Sequence, residues 1–388
     1  MRPILVLGST GSIGVQTLDV VRAAPARFRV VGLAARASWQ PLAQQVAEFQ
    51  PRFVAVEEHE AAERLRALLP AGVELLSGPD ALEQLCERAE FELAVHGVVG
   101  ARGVRASHAV LARGKQLALA NKESLVVAGD VLMELARSRG GALLPVDSEL
   151  CAIHQCLAGA SVRQVRRIVL TASGGPFRDL APAALANVTP AMALKHPNWS
   201  MGPRITVGSA TLMNKALEVI EAHHLFGLEA ERIEVAIHRQ SVAHSLVEFV
   251  DGSVLAQLGP PDMRGPLHYC LHYPERAPAQ LKGFDFDLFR QLTFEPVDAR
   301  RFPALELGFE CVRQGGDSGA VLNAADEVAV EAFLAGRIAF SDITRINRLV
   351  LDQRPHLEGS MERLLLADHK ARELARSELE RPALGVSP

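Results

Sequence analysis

Several features that would assign the chain to other classes of protein are scarce or missing in its 388 residues. Aromatic residues are 5% of the total, the five cysteines show no Cys-x-x-Cys spacing, and no repeat or low-complexity tract occurs. This cysteine pattern argues against a zinc site or a disulfide framework and fits a reducing compartment. The longest apolar runs, such as residues 91–99, are too short to span a bilayer, so we expect a soluble protein with no membrane partner.

A strong charge of one sign is also missing. The formal net charge of −4 gives no basic field, so we expect no nucleic-acid partner, and any bound anion must be held by local groups. No His-Glu-x-x-His or Gly-x-Ser-x-Gly motif is present, which argues against a zinc metalloprotease and a serine hydrolase. A strand-like run begins almost at once and leaves no room for a signal or transit peptide, so we expect a cytoplasmic location.

The chain is long enough for two or three domains, and its first part has a regular pattern. Strand-length apolar runs alternate with helix-length amphipathic segments, the runs lying at 4–7, 29–33, 53–56, 93–99, 116–119 and 142–146. Such alternation is typical of α/β proteins because parallel strands need covering helices on both faces. We therefore predict a Rossmann-like, doubly wound parallel sheet over residues 1–147.

The pattern then changes. After a strand at 165–171 and a helix near 211–224, strands are predicted at 232–238, 244–249 and 253–258, with Asp251-Gly252 as the turn between the last two. This indicates a central α+β domain at 148–281. An extended Phe-rich linker at 282–308 leads to a C-terminal helical bundle at 309–388, with helices at 323–334 ending at Gly336, at 342–351 capped by Ser341, and at 361–379.

A glycine-rich loop follows the first strand. The segment Gly8-Ser9-Thr10-Gly11-Ser12-Ile13-Gly14 leads directly into an amphipathic helix. Glycines there let backbone N–H groups approach a diphosphate, while the helix N-terminus supplies partial positive charge. The segment therefore predicts a dinucleotide site, although a plain β–α turn rich in small residues would give the same string.

The residues that follow the second strand favour NADPH over NADH. An NAD enzyme usually places an acid there, on the ribose 2′-hydroxyl, and this chain has none. Arg36, with Ser38, is instead suited to a 2′-phosphate. A solvated surface arginine is the alternative interpretation.

One acidic segment lies at a strand-to-helix corner. Asp147 and Glu149 flank Ser148 at the carboxyl edge of the predicted sheet, where open α/β sheets bind ligands. Acids at such a corner also cap and charge the first turn of a helix, so the motif alone leaves two interpretations open.

A second acidic segment is helical. Asn214 and Glu218 lie about 40° apart around a helix, with Lys215 about 60° to the other side of Glu218. A surface ion pair of Lys215 with Glu218 is the simpler interpretation. It does not explain why Asn214 and Ser209, which are further polar donors, lie near the same place. Three carboxylates beside a lysine are what a protein needs to hold Mg²⁺ or Mn²⁺ against a phosphorylated, hydroxylated substrate.

Four further segments offer donors for anions: residues 121–124, 171–175, 195–202 and 209–211. Each combines hydroxyl, amide, imidazole or ammonium donors with small residues that allow close approach, as phosphate binding requires. The third, which contains Trp199 between two prolines, is also predicted to close as a lid over a bound substrate. An ordinary surface loop with a half-buried tryptophan is the alternative.

Ordered segments along nearly the whole chain carry a family resemblance, at 8–14, 120–125, 145–149, 170–177, 196–202, 214–218, 252–259 and 261–264. Together they resemble the 1-deoxy-D-xylulose 5-phosphate reductoisomerase family. The resemblance implies a homodimer with an NADPH-binding domain, a catalytic and dimerisation domain, and a helical domain. It also implies isomerisation and reduction of that sugar phosphate to 2-C-methyl-D-erythritol 4-phosphate, with NADPH and Mg²⁺ or Mn²⁺, in non-mevalonate isoprenoid biosynthesis.

The resemblance also implies roles for individual residues. Asp147, Glu149 and Glu218 correspond to metal ligands, and Lys122 would offset charge on the reacting oxygens. The implied substrate contacts are Ser148, Ser173, His196, Trp199, Ser209, Asn214, Lys215 and Met263. The implied cofactor contacts, which join Gly8 and Gly14 of the loop, are Thr10, Gly11, Ser12, Ile13, Asn121, Glu123 and Gly202.

Two single positions and one three-residue stretch depart from the family pattern. Leu150 stands where a histidine follows Asp-Ser-Glu, Gly208 stands where an aspartate precedes Ser209, and residues 36–38 replace a Gly-Lys-Asn stretch. Two alternatives therefore stay open: a catalytically weakened paralogue that binds NADPH and a sugar phosphate, and an NADPH oxidoreductase acting on a related sugar phosphate.

Overall fold

The computed structural model describes residues 1–195, 199 and 201–380. They form two compact units. The first contains residues 1–124, 132–151 and 262–283, and the second contains residues 125–131, 152–261 and those from 284 onward. In the described ranges, no helix combines the length and the apolar character needed to cross a membrane. The four-part division at residues 147, 281 and 308 stays a prediction.

A seven-stranded parallel sheet forms the centre of the first unit. Its strands are β1 (Arg2–Leu7), β2 (Phe28–Ala35), β3 (Phe53–Val56), β4 (Glu74–Ser77), β5 (Leu93–His96), β6 (Gln116–Leu119) and β7 (Ala142–Pro145). Their spatial order is β4-β3-β2-β1-β5-β6-β7. The order reverses between β1 and β5, which is where doubly wound sheets bind nucleotides. The predicted Rossmann-like fold is confirmed.

Helices follow the strands of this sheet because each apolar strand needs cover. They are α1 (Ser12–Ala23), α2 (Trp39–Phe49), α3 (His59–Arg66), α4 (Ala81–Arg88), α5 (Val104–Ala112), α6 (Lys122–Arg139) and α7 (Ser148–Cys156). Strand residues such as Ile4, Val6 and Leu93 are fully buried in the core. Helix α6 is kinked at Ala128, which has non-helical dihedral angles (φ −141°, ψ 34°).

The second unit contains a mixed five-stranded sheet. Its strands are β8 (Val165–Ala172), β9 (Ile233–Ile237), β10 (Ala243–Phe249), β11 (Val254–Leu258) and β12 (Glu295–Pro296), in the order β11-β10-β8-β9-β12. Strands β8 and β9 are parallel, and the other pairs are antiparallel. The β10–β11 hairpin turns at the predicted Asp251-Gly252, where Gly252 has a φ of 85° that favours glycine.

The remaining helices are α8 (Pro190–Ala193), α9 (Pro203–Thr211), α10 (Met213–Phe226), α11 (Arg264–His272), α12 (Phe286–Phe289), α13 (Ala304–Gln314), α14 (Ser318–Leu334), α15 (Phe340–Asp352) and α16 (Met361–Glu380). Of these, α11 belongs to the first unit. Helix α14 is almost entirely buried, and α15 and α16 pack against it. Helix α13 approaches α10 so closely that a Cβ added at Gly308 would overlap the backbone of Ala216. The predicted C-terminal helical region is confirmed.

Two strands of the first sheet differ from the prediction. Strand β4 was not predicted, because two of its four residues, Glu74 and Ser77, are polar and it lies at the edge of the sheet. The strand predicted at 93–99 ends at His96, since Gly97 packs against Ile13, where an added Cβ would come within 2.9 Å of the isoleucine Cβ.

Three predictions in the second unit are wrong in detail. The helix predicted at 211–224 is broken at Leu212, which has a φ of 59° and separates α9 from α10. Ser341 is not a cap, because α15 begins one residue earlier and the Asp342 carboxylate accepts a hydrogen bond from Ala339 N–H at 3.1 Å. The linker at 282–308 is not wholly extended, because it contributes α12 and strand β12, and α13 begins at Ala304.

Candidate active site

Two glycines shape the loop after β1. Gly8 has a φ of 80°, and its N–H and that of Ser9 both donate to the carbonyl oxygen of Ala34, at 3.0 and 2.8 Å. A Cβ added at Gly14 would lie less than 3.0 Å from Gly8 O and Ser9 Cα, so only glycine lets the first turn of α1 lie against the loop. The spacing of the motif therefore has a backbone cause.

The N-terminus of α1 is accessible to a ligand. Thr10 and Ile13 are partly exposed, and Gly11 and Ser12 are exposed. No acidic residue lies in the first turn, and the N-cap Gly11 makes no side-chain cap bond. The partial positive charge of the helix end is therefore not offset by an acid in that turn, which suits a diphosphate.

Arg36 follows β2 and is exposed. Its Nε lies 2.9 Å from Glu58 Oε1, in an ion pair whose side chains are 62% and 48% exposed. Ser38 is also exposed and occupies the N-cap position of α2 without a side-chain cap bond. A 2′-phosphate at this edge would compete with Glu58 for the guanidinium.

Lys122 and Asp147 form a buried ion pair. Lys122 begins α6 after β6, and Asp147 follows the neighbouring strand β7, so parallel pairing brings both to the same edge of the sheet. Lys122 Nζ lies 2.6 Å from Asp147 Oδ2, and the side chains are 10% and 11% exposed. Removing either partner would take away the opposite charge beside a mostly buried ionic group, which is destabilising.

Asp147 also caps helix α7. The Glu149 N–H donates to Asp147 Oδ1 at 3.2 Å, and Ser148 Oγ donates to Glu149 Oε2 at 2.7 Å. The capping interpretation is therefore correct, but it accounts for only one oxygen of Asp147, since the other bonds to Lys122. Leu150 is fully buried, so an imidazole there would be removed from solvent.

Asn121 and Glu123 tie the start of α6 to the loop after β5. Asn121 Nδ2 donates to Val98 O at 2.7 Å and to Gly100 O at 3.0 Å, and Gly100 N–H donates to Glu123 Oε1 at 3.1 Å. Both side chains are buried. They hold the loop 98–100 just beyond the ends of the paired strands β1 and β5, and their contact with a cofactor stays a prediction.

Met263 lies just before α11 in the first unit. It is partly buried and packs against the core that includes the β1 and β2 strands. Its role as a wall of the substrate pocket stays a prediction.

In the second unit, three predicted site residues meet on the first turns of α10. Asn214 Nδ2 donates to Glu218 Oε1 at 2.5 Å, and Lys215 Nζ forms an ion pair with Glu218 Oε2. The side chains of Lys215 and Glu218 are 5% and 1% exposed. A solvated surface ion pair is therefore excluded. Burying these two charged groups costs free energy, so their position needs an explanation other than surface pairing.

The predicted phosphate contacts come from neighbouring segments. Gly175 has a φ of 65°, and a Cβ there would lie 2.6 Å from Ser209 O, so the loop after β8 packs directly on α9. Ser173 Oγ accepts the Gly175 N–H at 3.2 Å. At Gly208 a Cβ would lie 3.4 Å from the backbone nitrogen of Asn214, so the end of α9 also adjoins α10.

Residues around the predicted lid are only partly described. Trp199 is half-buried, with its ring centroid 6.4 Å from that of His244. Gly202 is exposed and precedes α9 as its N-cap. His196, the predicted substrate contact in this segment, lies outside the described residues.

His238 behaves as an ordinary core histidine. Its Nδ1 donates to Thr293 O at 2.8 Å, its Nε2 accepts from Ala243 N–H at 3.1 Å, and burial lowers its pKa.

Sequence reasoning overlooked Arg204, whose guanidinium bonds to Asn323 and Glu327. No local signal identifies it, because its partners lie 119 and 123 residues further along the chain.

Comparisons with known proteins agree over almost the whole chain. Residues 4–129 match the family model described as 1-deoxy-D-xylulose 5-phosphate reductoisomerase, residues 143–226 match its C-terminal domain, and residues 258–374 match the DXP reductoisomerase C-terminal domain. A reductoisomerase of that name from Cupriavidus pinatubonensis is 51% identical over 387 residues, covering 98% of each chain. One from Anaeromyxobacter dehalogenans is 51% identical over 352 residues, covering 91% of this chain and 90% of the relative.

Solved structures show the same fold. The Zymomonas mobilis reductoisomerase in complex with NADPH aligns with a TM-score of 0.92 and 41% identity, covering 98% of this chain and 100% of the other. A reductoisomerase in complex with NADPH, fosmidomycin and magnesium aligns with a TM-score of 0.93 and 37% identity, covering 98% of both chains. The chain therefore belongs to the 1-deoxy-D-xylulose 5-phosphate reductoisomerase family.

Proposed function

We propose that the chain isomerises and reduces 1-deoxy-D-xylulose 5-phosphate to 2-C-methyl-D-erythritol 4-phosphate, with NADPH and Mg²⁺ or Mn²⁺, in non-mevalonate isoprenoid precursor biosynthesis. The observation that carries the activity is its 51% identity to a reductoisomerase over 98% of both chains. The related structures that hold NADPH and magnesium support the two cofactors.

The cation is assigned to three carboxylates. Asp147, Glu149 and Glu218 make up the one group of acidic, histidine or cysteine residues, among those that the structure describes, with the composition of a metal site. Oxygen ligands of this type suit Mg²⁺ and Mn²⁺. A cation held there would polarise the substrate carbonyl and offset the negative charge that develops on its oxygen.

The charges of these side chains favour the assignment. Lys122 bonds to Asp147, and Lys215 bonds to Glu218. Three carboxylates and two ammonium groups leave one negative charge. A divalent cation reverses this sign, which suits a substrate that carries a phosphate. The lysines therefore keep the carboxylates compatible with burial, and Lys122 lies beside the ligand Asp147, where it can also offset charge on a reacting oxygen.

Hydroxyl, amide and ammonium donors would hold the substrate. Ser173, Ser209, Asn214 and Lys215 come from three adjoining segments of the second unit and offer hydroxyl, amide and ammonium donors for a phosphate and sugar hydroxyls. Ser148 would contact the substrate backbone, and His196 would supply a further donor. Trp199 and Met263 would wall the pocket and exclude water.

NADPH would lie at the carboxyl edge of the first sheet. The diphosphate would face the loop Gly8–Gly14 and the N-terminus of α1, and Arg36 with Ser38 would bind the 2′-phosphate. Asn121, Glu123 and Gly202 would complete the cofactor contacts. The supporting observation is the accessible, acid-free first turn of α1.

A homodimer and a cytoplasmic location complete the proposal. The edge strand β11 exposes Val254, Leu255 and Leu258 by 54%, 49% and 40%, and an apolar edge of this kind suits a second copy of the chain. The five cysteines are free thiols, which suits a reducing compartment.

A catalytically weakened paralogue is the second candidate. It is favoured by Leu150, which puts a fully buried apolar side chain next to Glu149, and by Gly208, which offers no carboxylate beside Asn214. Such a protein would bind NADPH and the sugar phosphate with little or no turnover. An oxidoreductase acting on a related sugar phosphate would turn over only with that other substrate.

One assay separates these functions. NADPH absorbance is followed with 1-deoxy-D-xylulose 5-phosphate and Mg²⁺ or Mn²⁺, with and without a chelator, for the wild type, Glu218→Gln and Glu248→Gln. The control Glu248 is a carboxylate of the second unit, 13% exposed and paired with Arg166 and Arg167. The proposal expects chelator-sensitive oxidation that is lost only in Glu218→Gln. NADPH binding without oxidation by the wild type would contradict it and favour the paralogue.

A further inference from the structure

Arg204 joins helix α9 to helix α14. One guanidinium nitrogen lies 2.8 Å from Glu327 Oε1, and another lies 2.8 Å from Asn323 Oδ1. Asn323 Nδ2 in turn donates to Glu327 Oε1 at 3.1 Å. The planar guanidinium thus donates hydrogen bonds to two acceptors that lie one turn apart on α14. An ammonium group cannot reproduce this geometry.

The contact is largely shielded from solvent and extends to a third helix. The side chains of Arg204 and Glu327 are 18% and 19% exposed. Arg372 on α16 lies 2.8 Å from Glu327 Oε2 and also bonds to Asp368. Charged groups in such a network are screened little by solvent, so each bond constrains the helices it joins.

Helix α9 carries predicted site residues at both ends. Its buried residues lie from Thr206 onward, so Arg204 is the charged contact that holds its N-terminal turn. Gly202 precedes it as the N-cap and, being glycine, has no side chain to cap the helix. Ser209 lies near its C-terminal end. Arg204 and Ser209 are five residues apart, which places them about 140° apart around the helix. Arg204 therefore holds the face turned away from Ser209.

We infer that Arg204 is a positioning residue of the proposed reaction. By fixing α9 against α14, it sets the place of Ser209, of the N-cap Gly202 and of Trp199. The C-terminal helices thereby act on substrate binding without touching the substrate. This inference rests on the proposed function, since Ser209 is assigned there to the substrate. A small displacement of a positioning helix is enough to reduce the catalytic rate by up to about a hundredfold.

The test compares Arg204→Met with a matched variant at the other end of α14. Arg354 is 12% exposed and pairs with the buried Asp317 at 2.9 Å, next to the start of α14, so Arg354→Met removes a similar ion pair without touching α9. We expect Arg204→Met to raise the KM for 1-deoxy-D-xylulose 5-phosphate by about tenfold and Arg204→Lys to raise it less. The KM for NADPH should change little, and Arg354→Met should lower the Tm without altering either KM.

A second measurement does not depend on turnover. The chain has two tryptophans, so in a Trp39→Phe background the fluorescence reports Trp199 alone. We expect Arg204→Met, and not Arg354→Met, to change the quenching of Trp199 by acrylamide in the free protein. Equal KM values and equal quenching in the two variants would overturn the inference. If the wild type fails to oxidise NADPH, the proposed function fails. The quenching comparison alone then decides whether Arg204 positions Trp199.

Discussion

Lys122 Nζ lies 2.6 Å from Asp147 Oδ2, and both side chains are about nine-tenths buried. The two residues are 25 positions apart in sequence and meet because β6 and β7 are neighbouring parallel strands that end at one edge. The sheet thus places an ammonium group against a carboxylate at the edge where α/β proteins bind ligands.

Replacing Lys122 by methionine should reduce kcat by about a hundredfold or more, because a positioned charge in a dry site is lost. Stability should also fall by about 3 kcal/mol, since the mostly buried Asp147 carboxylate loses the ammonium group paired with it. In Lys122→Met/Asp147→Asn, stability should recover while activity does not. Lys282→Met, at an exposed lysine, is the control. Steady-state kinetics and denaturant unfolding test this, and wild-type turnover in Lys122→Met would refute a catalytic role.

Two glycines of the first loop should respond differently to alanine. At Gly14 a Cβ overlaps Gly8 O and Ser9 Cα, whereas at Gly11 the nearest atom is Gly8 O at 3.4 Å, an ordinary contact. Gly14→Ala should therefore cost about 1–3 kcal/mol in stability and weaken NADPH binding, while Gly11→Ala should change stability by less than about 0.5 kcal/mol. Thermal unfolding with and without NADPH measures both. Equal losses in the two variants would show that the loop is not closely packed at Gly14.

Gly208→Asp restores the carboxylate that the family pattern places before Ser209. The nearest atoms to an added Cβ belong to Asn214, at 3.4 Å or beyond, and the backbone conformation suits any residue, so a Cβ fits without a clash. We expect it to lower the KM for the sugar phosphate by about twofold to fivefold, through ordering of the adjoining donors, as a net hydrogen bond is worth about 1 kcal/mol. Gly208→Ala is the control. It should stabilise α9, because glycine is unfavourable in a helix, but it should leave the KM unchanged. An unchanged KM in both variants would mean that the carboxylate is not needed here.

The buried His96 should make stability depend on pH. Burial lowers its pKa to about 4, opposed by its bond to Gly103 O, whereas the unfolded value is 6.5. The folded state therefore favours the neutral ring, and stability that is fully present above pH 6.5 is lost as the pH falls towards 4. Relative to His96→Gln, the wild type should lose roughly 2 kcal/mol between pH 7 and pH 5. Denaturant unfolding at both values tests this, and parallel losses in the two proteins would contradict it.

Patterns in the sequence were sufficient for the fold class because burial imposes periodicity. Alternating apolar runs located six of the seven strands of the first sheet. The edge strand at Glu74–Ser77 was not predicted, because two of its four residues are polar. The break at Leu212 also escaped, because a leucine with a φ of 59° is not expected from its residue type. The two-residue strand Glu295–Pro296 exists only because β9 lies beside it.

Candidate site residues were predictable where neighbours in sequence are also neighbours in space. Asn214, Lys215 and Glu218 share the first turns of one helix, so helical spacing alone placed them together. The partners of Arg36 and Arg204 lie elsewhere in the chain and become visible only once the strands and helices are assembled. Long-range ion pairs leave no periodic signal in a sequence.

The central claim is that three carboxylates bind one divalent cation. The most direct measurement is a Mn²⁺ titration of the NADPH-loaded protein, followed by electron paramagnetic resonance of the free ion, for the wild type, Asp147→Asn, Glu149→Gln, Glu218→Gln and the control Glu248→Gln. We expect one tight site per chain in the wild type and the control, weakened at least tenfold by each of the other three changes. Unaltered Mn²⁺ affinity in any one of those three would remove that carboxylate from the site and contradict the account.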